Sequence, residues 1–374
     1  MLEVGLRTLD QQFLLGPRAA GLRLAAASSE RRWKSVAVIT SPSVAAGGLI
    51  ERVAHVGWEV VACASSVRPH APVEDTEAIA ASLRGLVLDA IVAVGGGSVI
   101  DTAKAVALLL AWDGGLEDHL TSFEPPDRYV QPTGPMVAIP IVAVPTTLAG
   151  AEVTGSAGVQ TRDQRKRTVA HPSLAPRLVA SDPEFLATTP RSVLITTGMC
   201  ALAHCAEALC SIGANPMSTA LALESTRLLF RGLPAAEHDT LGVAAVMAGL
   251  ALASAPGGLE HALCHVVAAR AGVSHGVAHS ILLPAVMAYN RASTTAAQER
   301  FAEALGAGPT ADAAAAVMYF RGQLDAPSRL RSVGFLREDL SRIAAEAMHE
   351  RGTYWNPRHV SSANELVAVL EEAW

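Results

Sequence analysis

"LDAIVAVGGGSVIDTAKAVALLLAW" runs from Leu88 to Trp112, and its pattern changes in the middle. Leu88 to Ser98 is an apolar, β-branched run that ends in three glycines. Asp101 to Trp112 repeats its apolar residues at helical spacing. The stretch therefore predicts a buried strand, a tight glycine turn and a helix. Glycine lets a backbone approach a ligand closely, and a helix N-terminus offers unpaired N–H groups and positive potential. Such a turn is an anion site, suited to a pyrophosphate. It is not G-x-G-x-x-G, because the sixth position is Ile100.

The same alternation extends outward in both directions. "KSVAVIT" (Lys34 to Thr40) predicts a strand, "AAGGLIERVAHVG" (45–57) a helix, and "EVVACA" (Glu59 to Ala64) a second strand. "PVEDTEAIAASLRGL" (72–86) predicts a helix with acids in its first turn, at the positive end of the dipole. "MVAIPIVAVPTT" (Met136 to Thr147) predicts the fourth strand. This order implies a parallel sheet with helices on both faces. Ligands bind at the C-terminal edge of such a sheet, so Thr146 and Thr147 join Gly95, Gly96, Gly97 and Ser98 as nucleotide candidates. The first strand ends at Thr40 and Ser41, with no carboxylate to hold a ribose 2′-hydroxyl or repel a 2′-phosphate. NADH and NADPH both remain open, with Ser41 beside the ribose.

After about Pro183 the strand signals stop, and long alanine-rich stretches of helical periodicity take over. The expected division is 1–184 as an α/β dinucleotide-binding domain and 185–374 as an all-helical domain. Four of the twelve histidines fall between His261 and His279. His261 and His265 share a helix face at four-residue spacing, as do His275 and His279, and Cys200 and His204. Imidazoles from separate segments suit a metal site or the movement of a proton to a carbonyl oxygen. Ala262 follows His261, so H-E-x-x-H is absent and a metalloprotease is excluded.

Bulk properties exclude other classes. Hydrophobic residues are 50% and charged residues 17% of 374, a composition that buries a large core and is not disordered. Net charge is −6, and the densest cationic stretch, Arg162 to Arg167, contains an Asp, so no nucleic-acid partner is expected. The best apolar run in this reading, Leu241 to Ala255, falls short of a bilayer's ~20 residues, and no membrane partner is expected. "MLEVGLRTLDQQ" carries no signal-peptide pattern. Five cysteines, an odd number, read as free thiols in a reducing cytoplasm.

"GGGSVIDTAKAVA", "VPTTLAGAEVT", "TTGMCALAHCAEAL" and "HALCH…SHGVAHSILLPAVMAYN" resemble the iron-containing alcohol dehydrogenase superfamily. "RPHAPVE", "RKRT" with "HPSLAPRLVASDP", His279 and "NPRHV…LEEAW" are most similar to its maleylacetate reductases. The resemblance spans nearly the whole chain. It implies a dehydroquinate synthase-like fold, an active site in the cleft between the two domains, and a homodimer. It implies that Gly95, Gly96, Gly97 and Ser98 hold the pyrophosphate, with Asp101 and Lys104 supporting the loop and Thr146 and Thr147 lining the pocket. The three metal-binding histidines of the family fall on His204, His261 and His275, the metal-binding Asp falls on Cys200, and His265 sits near substrate and nicotinamide.

A thiolate is softer than a carboxylate and suits zinc over iron. The metal-free reading is favoured over zinc at Cys200, His204, His261 and His275, with iron least suited. The expected reaction is NAD(P)H-dependent reduction of a keto acid or of an enol or conjugated carbonyl. His265, His261, His275 and His204 carry the catalytic role. The substrate is a small anion, for which His279 and Arg270 are candidate cations; Arg270 also fits a solvated helix end. Lys166 and Arg167 fit a surface turn or a substrate contact. The alternative is a repurposed lyase, cyclase or tailoring enzyme on the same fold.

Overall fold

The computed structural model describes residues 10–308 and 310–374, in two compact units. Of the described residues, one comprises 10–122 and 130–190 and is α/β. The other comprises 191–374, together with the short segment Phe123–Tyr129. The division falls after Pro190 rather than after 184. Pro183–Leu186 forms a short helix capped by Asp182, and Phe185 belongs to the core beneath the sheet.

The sheet has six strands, all parallel: β1 Gln12–Leu15, β2 Ser35–Thr40, β3 Glu59–Ala64, β4 Ala90–Gly95, β5 Ile141–Pro145 and β6 Leu178–Ser181. Their order is β1-β6-β5-β4-β2-β3. The central strands are apolar at every position because both faces are covered. Ala37, Ile39, Ile91, Ala93, Ile141 and Ala143 face the core shared with the Gly97–Ala111 helix. Val36, Val38, Val92, Val94, Val142 and Val144 face the opposite core. β1 and β6 went unread in the sequence, because four residues are too few to show a period.

Two expected elements are shorter or broken. The helix read over 45–57 is two, Pro42–Ala46 and Leu49–Ala54, because Gly48 between them takes φ 71°. The strand read from Met136 starts at Ile141, directly after Pro140, whose missing N–H cannot serve a ladder. A hairpin pairs Ser156–Gln160 with Lys166–Ala170, antiparallel.

Among the described residues no strand follows Ser181. The helical unit is built on Arg191–Cys210, Pro216–Ala235, His238–Ala253, Leu259–Ala271 and His275–Ala304. The Arg191–Cys210 helix, not the 241–255 run, is long and apolar enough to cross a membrane. Its apolar window is 83% buried inside the protein, and it carries Cys200 and His204, so it is a core helix. It lies tight against the start of His275–Ala304: a Cβ on Gly276 would come within 2.4 Å of Thr196 O. Only glycine permits that approach.

Candidate active site

In the α/β unit the glycine turn is made as its composition demands. Gly95 closes β4 at φ 155°, where a side chain would meet Val99 at 2.7 Å. Gly96 precedes the Gly97–Ala111 helix, and a Cβ there would sit 3.0 Å from Thr147. Gly95 O accepts from Thr146 N at 3.1 Å, which joins the ends of β4 and β5. The turn is therefore a bare backbone cradle at a helix N-terminus, and it fits a dinucleotide pyrophosphate. Ser98 Oγ accepts from His70 N at 3.0 Å. Asp101 and Lys104 lie behind the turn. Lys104 is fully buried and donates to Ala151 O (2.6 Å), Ser156 O (2.7 Å) and Thr154 Oγ1 (3.4 Å), while Asp101 accepts from Gly158 N at 3.1 Å. Ser41 Oγ accepts from Val44 N as the cap of a short helix. Lys166 donates to Gly158 O and His70 O, and Arg167 to Thr121 O, so both bind backbone carbonyls of their own unit.

The helical unit gathers the histidines. Gly272 ends the Leu259–Ala271 helix at φ 63°, and Ser274 caps the next, so His275 falls on its first turn. The ring centroids of His204 and His261 are 5.2 Å apart, stacked. His279 lies 4.8 Å from His261 and 5.9 Å from His204. His265 and His275 form an outer pair, 5.7 Å apart, with His265 6.4 Å from His261 and His275 6.3 Å from His279. Cys200 Sγ is 3.5 Å from a ring nitrogen of His204, as their spacing on one face requires. Burial pushes Cys205 up to about 11 and Cys210 up to about 12, so both stay protonated.

The sequence reading missed the carboxylates behind these rings. Glu207 accepts from Gly258 N (3.0 Å) and Glu260 N (2.8 Å) and contacts His261 Nδ1, so one carboxylate caps the helix start and orients its histidine. Burial alone would raise the Glu207 carboxyl; His261 and the two N–H groups hold it below the ordinary value. Glu260, fully buried, sits 2.7 Å from His279 Nδ1. Burial pushes Glu260 well above the usual carboxylate range and His279 down to about 3, so the His279 imidazole is neutral at neutral pH. Glu350 lies 3.3 Å from His265 Nδ1. A signal existed for two of the three: Glu207 follows His204 by three residues on one helix, and Glu260 adjoins His261.

His279 is 1% exposed and neutral, so it is no cation for an anionic substrate. Arg270 forms an ion pair with Glu346, in keeping with the helix-end reading. His204 is buried too, and burial, then His261 and His279, hold it well below the usual imidazole value.

Cys200, His204 and His279 each offer one donor atom, all within 4.8 Å of one another; Glu260, His261 and His279 do likewise. His275, expected in the ligand set, is in neither triad. Glu260 Oε1 and His204 Nδ1 are buried with no hydrogen-bond partner. Such orphans call for an ion or a proton. Thiol, imidazole and carboxylate together fit a borderline divalent cation, which would polarise a substrate oxygen.

A parallel sheet with a glycine turn at its edge, and a helical unit that buries imidazoles against carboxylates, define a nicotinamide-dependent oxidoreductase. Residues 12–183 match the iron-containing alcohol dehydrogenase model, and 194–374 match the C-terminal model of the Fe-containing alcohol dehydrogenase family. The chain belongs to the iron-containing alcohol dehydrogenase family. It is 31% identical over 347 residues to a maleylacetate reductase from Sphingobium indicum, covering 91% of this chain and 89% of that one. It is 31% identical over 305 residues to an NAD-dependent methanol dehydrogenase from Bacillus methanolicus, covering 76% and 77%. The solved maleylacetate reductase from Agrobacterium tumefaciens superposes with a TM-score of 0.82 at 25% identity, covering 100% of this chain and 99% of that one.

Proposed function

We propose that this oxidoreductase reduces a small anionic keto acid or conjugated carbonyl, of the maleylacetate type, with NADH or NADPH. The observation that carries the reading is the graded row of imidazoles. Side-chain exposure rises from 1% at His279 through 17% at His261 to 35% at His265. Bound NAD(P)H supplies a hydride to the electron-poor carbon. His261, its Nδ1 held by Glu207, presents its other nitrogen to the oxygen where negative charge grows, and gives it a proton. His265, at the more exposed end and backed by Glu350, restores that proton from solvent. Relatives named maleylacetate reductase, at 29–34% identity, support the substrate class.

The test is oxidation of NADH and of NADPH with a panel of keto acids, maleylacetate, and simple aldehydes. Turnover is expected on the acids, with aldehydes much slower. Failure on every acid with both nucleotides, while nucleotide still raises Tm, would sink the reductase reading and leave a nucleotide-binding protein of other chemistry.

A further inference from the structure

We propose that Arg351 is the cation that receives a carboxylate of the substrate, its guanidinium held by the Tyr129 and Trp355 rings and its N–H edge left for a planar anion. This rests on the reductase reading for the identity of the acid, and deepens it by naming the residue that selects acids over uncharged carbonyls.

The cations expected from the sequence are otherwise engaged. His279 is buried and neutral, and Arg270 is paired with Glu346. Residues 191–374 contain no lysine, so within the helical unit the task falls to arginine. Arg321 donates to Ser280 O, and Arg358 to Tyr289 O. Arg351 differs from these. Its Cζ lies 4.1 Å from the Tyr129 ring centroid and 4.3 Å from that of Trp355, yet no carboxylate, carbonyl or hydroxyl among the described residues takes its N–H groups. Aromatic rings attract the face of a guanidinium and leave its in-plane donors unused. They also remove rotamer freedom, so a carboxylate meets a fork already in place.

The segment that carries Arg351 is fixed to the helix of His261 and His265. Its neighbour Glu350 lies 3.3 Å from His265 Nδ1. A Cβ on Gly352 would collide with Gly258 O, so only glycine lets the chain pass there. Asn356 Oδ1 accepts from Leu259 N at 3.3 Å, in the first turn of that helix. Phe123 packs on Tyr354 with ring centroids 5.6 Å apart, which anchors the short segment that brings Tyr129. Consecutive residues therefore divide the work. Glu350 backs the outer imidazole, and Arg351 beside it tethers the acid at that end of the row. An aldehyde carries no group for this fork.

The experiment is steady-state kinetics on the full chain with maleylacetate and with an uncharged aldehyde, beside calorimetric titration of the nucleotide-bound enzyme with maleate, a dicarboxylate that has no carbonyl to reduce. Arg351→Met should raise the KM for the acid and the Kd for maleate by about tenfold to hundredfold. It should leave kcat within about threefold, and kcat/KM for the aldehyde unmoved. Arg351→Lys keeps the charge but not the fork, and should recover only part of the loss. A melting curve accompanies each variant. If Arg351→Met does not fold, Arg351→Lys carries the test, with a KM rise of about tenfold expected. Acid KM and maleate Kd both unchanged in a folded variant, or equal losses on acid and aldehyde, overturn the proposal. In the first of these cases, with acids still turned over, the reductase reading stands. Where no acid is turned over but maleate binds and Arg351→Met releases it, the fork stands and the reductase reading falls. A wild type that neither binds maleate nor reduces an acid overturns both.

Discussion

Lys104 in the α/β unit and Glu260 in the helical unit are both fully buried ionisable side chains, yet their surroundings differ in kind. The Lys104 ammonium meets two backbone carbonyls and a hydroxyl, with Asp101 3.8 Å away. Those partners tie the helix after the glycine turn to residues 151–156, and they saturate the charge. Glu260 has one oxygen on His279 and the other on nothing. A saturated buried charge is structure; an unsaturated one beside imidazoles is chemistry waiting for an ion or a proton. Glu152 blurs the contrast, since its Oε1 is also buried and unpartnered, but what lies near it is the already saturated Lys104.

The sharpest way to break this comparison is to remove one member of each cluster. His261→Ala should cut kcat by about 10²–10⁴ with a modest change in Tm, read from steady-state rates and a melting curve. A loss confined to stability would move the helical cluster into the structural class. Lys104→Ala should instead cost about 3–5 kcal/mol in urea unfolding, because the buried carbonyls of Ala151 and Ser156 lose their donor and Asp101 loses its nearby cation. A Lys104→Ala protein of full stability would show that saturation is no guide.

Glu152 offers a pH test of the α/β side. Burial raises its carboxyl from 4.5 to about 7, so the folded state binds the proton more tightly than the unfolded one. Its contribution to stability is present below about pH 4.5 and declines as pH climbs to about 7, then levels. Glu152→Gln should flatten that decline, gaining on the order of 1–3 kcal/mol at pH 8 relative to wild type. Parallel Tm-against-pH curves for the two proteins would refute the assignment.

A finer test concerns the cradle. Gly96→Ala places a methyl 3.0 Å from Thr147 in the proposed nucleotide cradle and should weaken nucleotide binding about tenfold by titration, or ~1.4 kcal/mol. The smallest effect belongs to the surface. Arg270→Ala, which removes a partly exposed pair with Glu346, should change stability by less than about 1 kcal/mol and leave the KM for the acid substrate unmoved. A large KM rise would return Arg270 to the substrate site.

Much of the fold was legible along the chain. The strands ending at Thr40, Gly95 and Pro145 are apolar at successive positions, which only a sheet covered on both faces requires, and the glycines after Val94 mark the turn. β1 and β6 were not, because each is a four-residue segment held by pairing rather than by its own pattern. In the site, the i, i+4 pairs named the helix faces correctly for Cys200 with His204. They could not rank His275 against His279, which occupy one face at the same spacing. That choice depends on how the helix starting at His275 meets the Arg191–Cys210 helix, and on the carboxylate of Glu260 arriving from a third.

Local spacing along one chain thus determined the parallel α/β unit, the glycine turn and the presence of an imidazole-rich helical unit, since helix and strand periods are short-range properties of adjacent residues. Which imidazoles are neutral, which are backed by Glu207, Glu260 or Glu350, and which donors converge was decided only by tertiary packing. Burial and charge pairing depend on residues tens of positions apart, and no period in the sequence records them.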